Sequence, residues 1–245
     1  MIILNENNFL NNEYKEKWIK DLNLDEIEEE RLYNWVNIDG KYYYVKSNFG
    51  KYHELVGEEI AKSLNLKTAH YEICKKGDFY YYISPNFKDK NKTYKHAYEL
   101  YDGKDKLKEI NDLELIKEIL KMYALDIFMM QVDRTAFNFL FEVGDKISLA
   151  PLYDYSCSYF ANADSYKNYN NALFNLNFNN KELSKFKDNY PEIEDYLDII
   201  YNTDYLELLK ENLKNNDIKL DKTNEKFYNE KFKEGRKLIN KINRA

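Results

Sequence analysis

The chain is short of the residues that staple or punctuate a fold: its 245 residues include two Cys, three His, three Pro and seven Gly. Cys74 and Cys157 lie far apart in sequence. That excludes a disulfide framework and any cysteine metal-ligand spacing, and it fits a reducing compartment. His53, His70 and His96 are too scattered for an ordinary zinc site. No apolar run approaches the length of a membrane span. The opening MIIL lacks the basic-then-apolar build of a secretion signal. The expectation is therefore a cytoplasmic protein without membrane contact. Lys and Arg number 37 against 43 Asp and Glu, a net charge of −6. That balance argues against a general nucleic-acid binder, so direct nucleic-acid binding is not expected.

What is present suffices for a core. Hydrophobic residues make up 44% of the chain and aromatics 16%, with 24 Tyr, so wholesale disorder is excluded. The length allows one large domain or two lobes sharing a cleft. Residues 13–30 are charged and helix-prone. Asp39-Gly40 between residues 33–38 and 41–46 is a strong hairpin signal. Residues 53–65 carry apolar side chains at helical spacing. Residues 67–74 and 78–84 read as strands around Gly77, and the Lys-rich stretch 85–108 reads as a connection. Residues 112–132 form the most apolar helix, apolar on nearly all sides and so expected to be buried. Helical stretches follow near 190–200, 203–215 and 222–242. Strands early and helices late make an α+β chain. The expected division is a strand-rich lobe over 1–85 and a mainly helical lobe over 86–245.

The stretch 131–158, QVDRTAFNFLFEVGDKISLAPLYDYSCS, carries the chemistry. Asp133 and Asn138 are spaced D-x-x-x-x-N. A predicted hairpin follows, with strands over 137–143 and 147–150, turn residues at 144–146 and a stop at Pro151. Asp154 leaves the second strand. A hairpin brings its ends together, so Asn138 and Asp154 can converge on one hard cation. Phosphoryl transfer needs this order: an Asp to accept the hydroxyl proton, then an Asn and a second Asp to hold magnesium. Upstream, Lys46 ends the strand KYYYVK and Glu54 opens the next helix. A strand Lys that meets phosphates and a helix Glu that holds it complete the set. Glu58 and Glu59 compete with Glu54 for that part.

With Lys46, Glu54, Asp133, Asn138 and Asp154 in order, the chain resembles the HipA-like kinases, bacterial serine/threonine protein kinases that include toxins of toxin–antitoxin pairs. FMMQVDRTAFNFLF and SLAPLYDYSCS are similar to that family's catalytic and metal segments, and HELVGEEIAKSLNLKTAHYEI to its first-lobe helix. The resemblance covers residues 30–160. It implies a two-lobed protein-kinase-like fold that uses ATP and Mg2+. By resemblance Asp133 is the catalytic base, Asn138 and Asp154 are the metal ligands, and Lys46, aligned by Glu54, contacts phosphate. ISPNF, with Asn86 and Phe87, sits where the family meets adenine. Arg134 braces the loop, compensates phosphate charge or forms a structural ion pair. A protein substrate and an antitoxin-like regulator are the implied partners.

Two features depart from the family. Full-length members carry a further N-terminal subdomain, for which this sequence has no room. The phosphate-covering loop is unrecognisable, with no G-x-G-x-x-G, and residues 1–46 contain no Ser or Thr to serve as the family's inhibitory autophosphorylation site. The Asn-rich segment 5–13 is a candidate to bring backbone N–H groups to phosphates. Two other functions fit the same residues. One is a small-molecule kinase, with Asp164, Glu192 and Glu194 forming an acidic acceptor pocket. The other is a pseudokinase acting as a binding module. The Tyr cluster at 153, 155, 159 and 166 is expected to pack the region after the metal segment.

Overall fold

The computed structural model describes residues 2–10, 15–23, 34–47, 52–100, 110–159, 163–166 and 180–244. The first part of the chain builds a five-stranded sheet in the order β1-β4-β5-β3-β2. Its strands are β1 (Ile2–Ile3), β2 (Trp35–Ile38), β3 (Lys41–Lys46), β4 (Glu72–Lys76) and β5 (Phe79–Pro85). Only β1 runs parallel to its neighbour, pairing Ile2 with Cys74. Asp39 and Gly40 both have positive φ, 50° and 80°. That conformation matches the twist of a two-residue hairpin, so β2 folds back on β3 as the sequence predicts. Gly77, also at positive φ, turns β4 into β5 in the same way.

Between these strands runs α1 (Lys15–Leu22), within the helical stretch expected over 13–30, of which residues 24–30 lie outside the described residues. After β3 comes α2 (His53–Ser63), whose apolar side is buried. The Asn-rich segment 5–13 is described as far as Leu10. Asn5 and Asn8 cap each other's backbone there in a short 3₁₀ turn, Glu6–Asn8. The backbone N–H groups of Asn5, Asn7, Asn8 and Phe9 are used within the turn, and the Asn8 side chain donates to Asn37 O at 3.1 Å.

A second sheet, β6-β7-β8, is built from β6 (Thr93–His96), β7 (Leu140–Val143) and β8 (Ile147–Leu149). The strand β6 and the following turn α3 (Ala97–Leu100) fall inside the expected connection 85–108, of which 101–109 are not described. The hairpin of β7 and β8 is present, but β7 starts three residues later than the aromatic run suggests. Thr135 O accepts the Asn138 N–H at 3.0 Å, and the Asn138 side chain donates to Asp133 O at 2.6 Å. Those local bonds hold Asn138 in the loop ahead of the strand. Likewise residues 67–71 do not form a strand. They instead stitch to the segment before Asp154, with Ala69 N donating to Leu152 O and Leu152 N to Lys67 O, at 2.8 and 2.9 Å.

The helical body centres on α4 (Leu113–Met129), capped by Asp112 and ended by Met130 in the left-handed region. Around it stand α6 (Asn180–Asn189), α7 (Glu192–Asn202), α8 (Tyr205–Asn215) and α9 (Lys222–Asn243), with the turn α5 (Ala163–Tyr166) before them. Asp204 and Asp221 cap α8 and α9 through their second and third backbone N–H groups. One large core joins α2 to these helices and takes in Tyr155, Tyr159 and Tyr166, while Leu4, Val36, Val45, Cys74 and Ile83 form a smaller core in the first sheet. Among the described residues no helix is long and apolar enough to cross a membrane.

Gly57 sets how closely α2 approaches the segment after Asp154. A Cβ there would lie 2.3 Å from the Tyr155 ring, and Tyr155 is fully buried. Gly57→Ala should therefore destabilise the protein by about 1–3 kcal/mol through overpacking, despite the better helix propensity of Ala. Urea denaturation should show a lower midpoint with an unchanged slope.

Candidate active site

Lys46 ends β3 with its ammonium held between two carboxylates. Nζ donates to Glu54 Oε1 and to Asp154 Oδ1, each at 2.8 Å. Glu54 projects from the first turn of α2 and is buried. Its other oxygen accepts the Tyr155 N–H at 3.1 Å. Helix, strand and loop thus meet at one cation. Asp154 has φ of 58°, a left-handed conformation that Asp adopts more readily than most residues. The Tyr71 hydroxyl accepts its N–H at 3.2 Å, and Ser156 Oγ donates to Oδ1 at 2.6 Å. Desolvation alone would raise the Asp154 carboxyl. The charge and hydrogen bond of Lys46, the Ser156 hydroxyl and Arg134 outweigh it and hold the pKa at about 2. Desolvation likewise opposes the Lys46 charge, but Glu54 and Asp154 prevail and raise its pKa. Glu58 and Glu59 do not reach Lys46. Glu58 accepts from Lys62, His70 and the Tyr71 N–H, and Glu59 from Lys62.

A second tie fixes the loop that carries Asp133 and Asn138. Arg134 is buried, with Nε on Asp126 Oδ1 at 3.2 Å. Its Nη1 donates to Asn138 O at 3.1 Å and to Tyr153 O at 2.8 Å. One guanidinium therefore joins α4, the Asn138 loop and the Asp154 segment, a geometry that a lysine's point charge cannot supply. Gln131 spans the same gap, donating to Asp154 O at 3.0 Å and accepting the Asp133 N–H at 3.4 Å. Asp133 is half-buried beside Cys157, whose thiol is pushed up by desolvation and by the Asp133 carboxylate.

Lys46, Asn138 and Asp154 line a cleft of about 340 Å³. Trp35, Tyr44, Tyr71, Phe87 and Tyr153 give it aromatic faces, and Lys88 and His96 also line it. Trp35 and Tyr44 meet edge to face at 5.3 Å, and Phe87 leans on Tyr153 at 5.8 Å. Asn86 is also in the wall, its side chain donating to Leu22 O at 2.9 Å. The cleft thus combines aromatic faces that suit a planar ring with charged and amide side chains that suit anions and a cation. Asn138 Nδ2 is committed to Asp133 O, which leaves Oδ1 as its acceptor. An amide oxygen and a carboxylate suit magnesium, which takes few protein ligands and completes its shell with water and phosphate oxygens. Among the described residues no group of three His, Cys, Asp or Glu forms an alternative metal cluster.

Of the residues singled out from sequence, Lys46, Glu54 and Asp154 are in direct contact. Asn138, Asn86 and Phe87 share the cleft with Lys46 and Asp154, and Asp133 is bonded to Asn138 through its backbone. Glu192 and Glu194 open α7 and are not in the cleft wall, and Glu194 pairs with Lys187 at 2.7 Å. The side chain of Asp164 lies outside the described residues. Gln131, Asp126 and Tyr71 were missed, because no spacing in the sequence marks them. A buried Asp within the apolar helix α4 was the one available signal.

No protein-family model matches the sequence, and no curated protein does. Among solved structures, the chain is similar to the Helicobacter pylori proinflammatory kinase CtkA, with a TM-score of 0.52 and 16% identity over 85% of this chain and 91% of that one. It also aligns with a chain of the Shewanella oneidensis MR-1 toxin–antitoxin complex of HipA, HipB and operator DNA. There the TM-score is 0.47 and the identity 12%, over 84% of this chain and 58% of that one. The likeness to CtkA shows the fold: α+β, two-lobed and kinase-like, with a strand-rich part followed by a mainly helical one.

The Asp154 carboxyl sits below its ordinary 3.8. Its contribution to stability is therefore complete above about pH 4 and is lost as pH falls through about 2, on the order of 2 kcal/mol in all. Asp154→Asn should flatten that part of the acid-denaturation curve when unfolding free energy is measured from pH 5 to 2.

Proposed function

We propose that this chain is an ATP- and magnesium-dependent kinase that phosphorylates Ser or Thr of a protein substrate. The observation that carries this reading is Lys46 held at 2.8 Å by both Glu54 and Asp154, in the wall of an aromatic cleft that Asn138 also lines. The fold shared with a solved kinase supports phosphoryl transfer in general. Protein specificity and an antitoxin-like regulator in the cytoplasm belong to the reading through the sequence resemblance. We read the lobes as residues 1–85 and 86–245, with the cleft between them.

The aromatic cleft, with Asn86 and Phe87 in its wall, takes the adenine. Lys46, oriented by Glu54, meets the α- and β-phosphates. Asn138 Oδ1 and the Asp154 carboxylate would hold magnesium, which would supply charge neutralisation to the phosphates. Asp133 orients the acceptor hydroxyl. The hydroxyl oxygen forms a bond to the γ-phosphorus as the bond to the β,γ-bridging oxygen breaks, and the hydroxyl proton passes to Asp133. Little covalent chemistry is asked of the protein, so positioning and charge stabilisation supply most of the rate. The depressed Asp154 pKa of about 2 keeps that ligand ionised at any physiological pH.

Labelled γ-phosphate, magnesium and a mixture of cell proteins provide the test. Acid-stable label on Ser or Thr is expected. Asp133→Asn and Asp154→Asn should each cut transfer by about 10²–10⁴-fold with circular dichroism unchanged. Near-wild-type turnover by either variant would overturn the assignment.

A further inference from the structure

Large apolar side chains exposed to solvent are few among the described residues, and two of them are stacked. Tyr98 is 42% exposed and Phe137 52%, and their ring centroids lie 4.4 Å apart at 32°. The His96 ring stacks on Tyr98 at 5.7 Å and 19°. The pair is anchored by backbone bonds. Tyr98 N donates to Ala136 O at 3.3 Å, and Phe137 N to Thr135 Oγ1 at 3.4 Å. Phe137 lies between Asp133 and Asn138 in sequence and lines the cleft beside Asn138 and Asp154. Tyr98 is not in the cleft wall. An aromatic surface therefore continues from the cleft wall at Phe137 to Tyr98 outside it.

Leaving two stacked rings in water costs hydrophobic free energy, and exposed apolar patches beside a cleft commonly mark recognition sites. The nucleotide has no use for Tyr98, which lies beyond the cleft. Through Ala136 and Phe137 it packs instead on the loop that carries Asp133 and Asn138. We propose that the Tyr98–Phe137 stack is the acceptor subsite, and that it takes an aromatic or large aliphatic side chain next to the phosphorylated Ser or Thr. The inference rests on the phosphoryl-transfer reading and names the substrate class for it. The chemistry of the surface favours this occupant over a polycationic small molecule. Asp154 is the one carboxylate in the described cleft wall, and it is already bound to Lys46. Stacked rings instead offer dispersion and a rigid face, which suit an apolar side chain.

The test is a set of Ser and Thr peptides that differ only in the flanking residues, assayed on the wild type, Tyr98→Ser and Phe137→Leu. Magnesium–ATP affinity and slow ATP hydrolysis to water are measured alongside. The wild type should prefer Phe, Tyr, Leu or Met flanks over Gly. Tyr98→Ser should lose about tenfold in kcat/KM on those peptides, a typical loss for an aromatic anchor. It should keep its activity on Gly-flanked peptides and its ATP affinity. Phe137→Leu should retain the aliphatic preference and lose the aromatic one. A wild type that binds and hydrolyses ATP but shows no flank preference, or selects Lys or Arg flanks through the ring faces, overturns the subsite alone. So does a preference that Tyr98→Ser leaves intact. A folded wild type that binds no magnesium–ATP overturns the phosphoryl-transfer reading and the subsite with it.

Discussion

The structure depends on one half-buried cation shared by three parts of the chain. Lys46 sits on β3, Glu54 on α2 and Asp154 on the segment after β8, and the two ion pairs at 2.8 Å bring them together. Such a group is costly to dehydrate, and breaking one arm leaves an uncompensated charge, commonly a loss of about 3–5 kcal/mol for a fully buried pair. The side chain of Lys46 retains 18% of its exposure and that of Asp154 28%, so the cost is smaller here. The partly open geometry has a chemical consequence. It leaves the lysine and the aspartate facing the cleft, where further anions and cations can reach them.

Around that cation the supports are mutual. Tyr71 holds the Asp154 backbone from β4's approach, Glu58 holds the Tyr71 backbone from α2, and Glu54 holds Tyr155. Gly57 gives Tyr155 its space. The buried Arg134–Asp126 pair does the same for the other wall of the cleft, carrying the Asn138 loop and Tyr153 on one guanidinium. The site therefore rests on the helices α2 and α4 more than on its own loops, and a rigid scaffold of that kind is what positional catalysis requires.

Much of this was legible in the sequence where the signal is local. Asp39-Gly40 and Gly77 read as turns because their backbone conformations admit few other residues. Helix α2 reads from its apolar spacing and α4 from its long apolar run. Lys46, Glu54 and Asp154 could be grouped because their order along the chain follows a known division of labour. What escaped was non-local or polar. The short strand β6 lies in a polar, Lys-rich stretch without alternation. The aromatic run before β7 was assigned to the strand from residue 137. Side-chain and turn bonds at Asn138 compete with the ladder there, and a hydrophobicity pattern does not register them. Arg134 was open to several roles until its partners were seen at Asp126, Asn138 and Tyr153, 8, 4 and 19 residues away. The stacking of Tyr98 on Phe137 joins two segments that nothing in their spacing connects.

The central claim is that Lys46, Asn138 and Asp154 make a magnesium-dependent nucleotide site. The direct measurement is ATP binding by titration calorimetry, with and without magnesium, on the wild type and on Asp154→Asn. The account predicts binding that magnesium strengthens and that the variant loses by at least about tenfold while staying folded. A folded wild type that binds no ATP, or binds it equally well without magnesium and with Asn at 154, would contradict it.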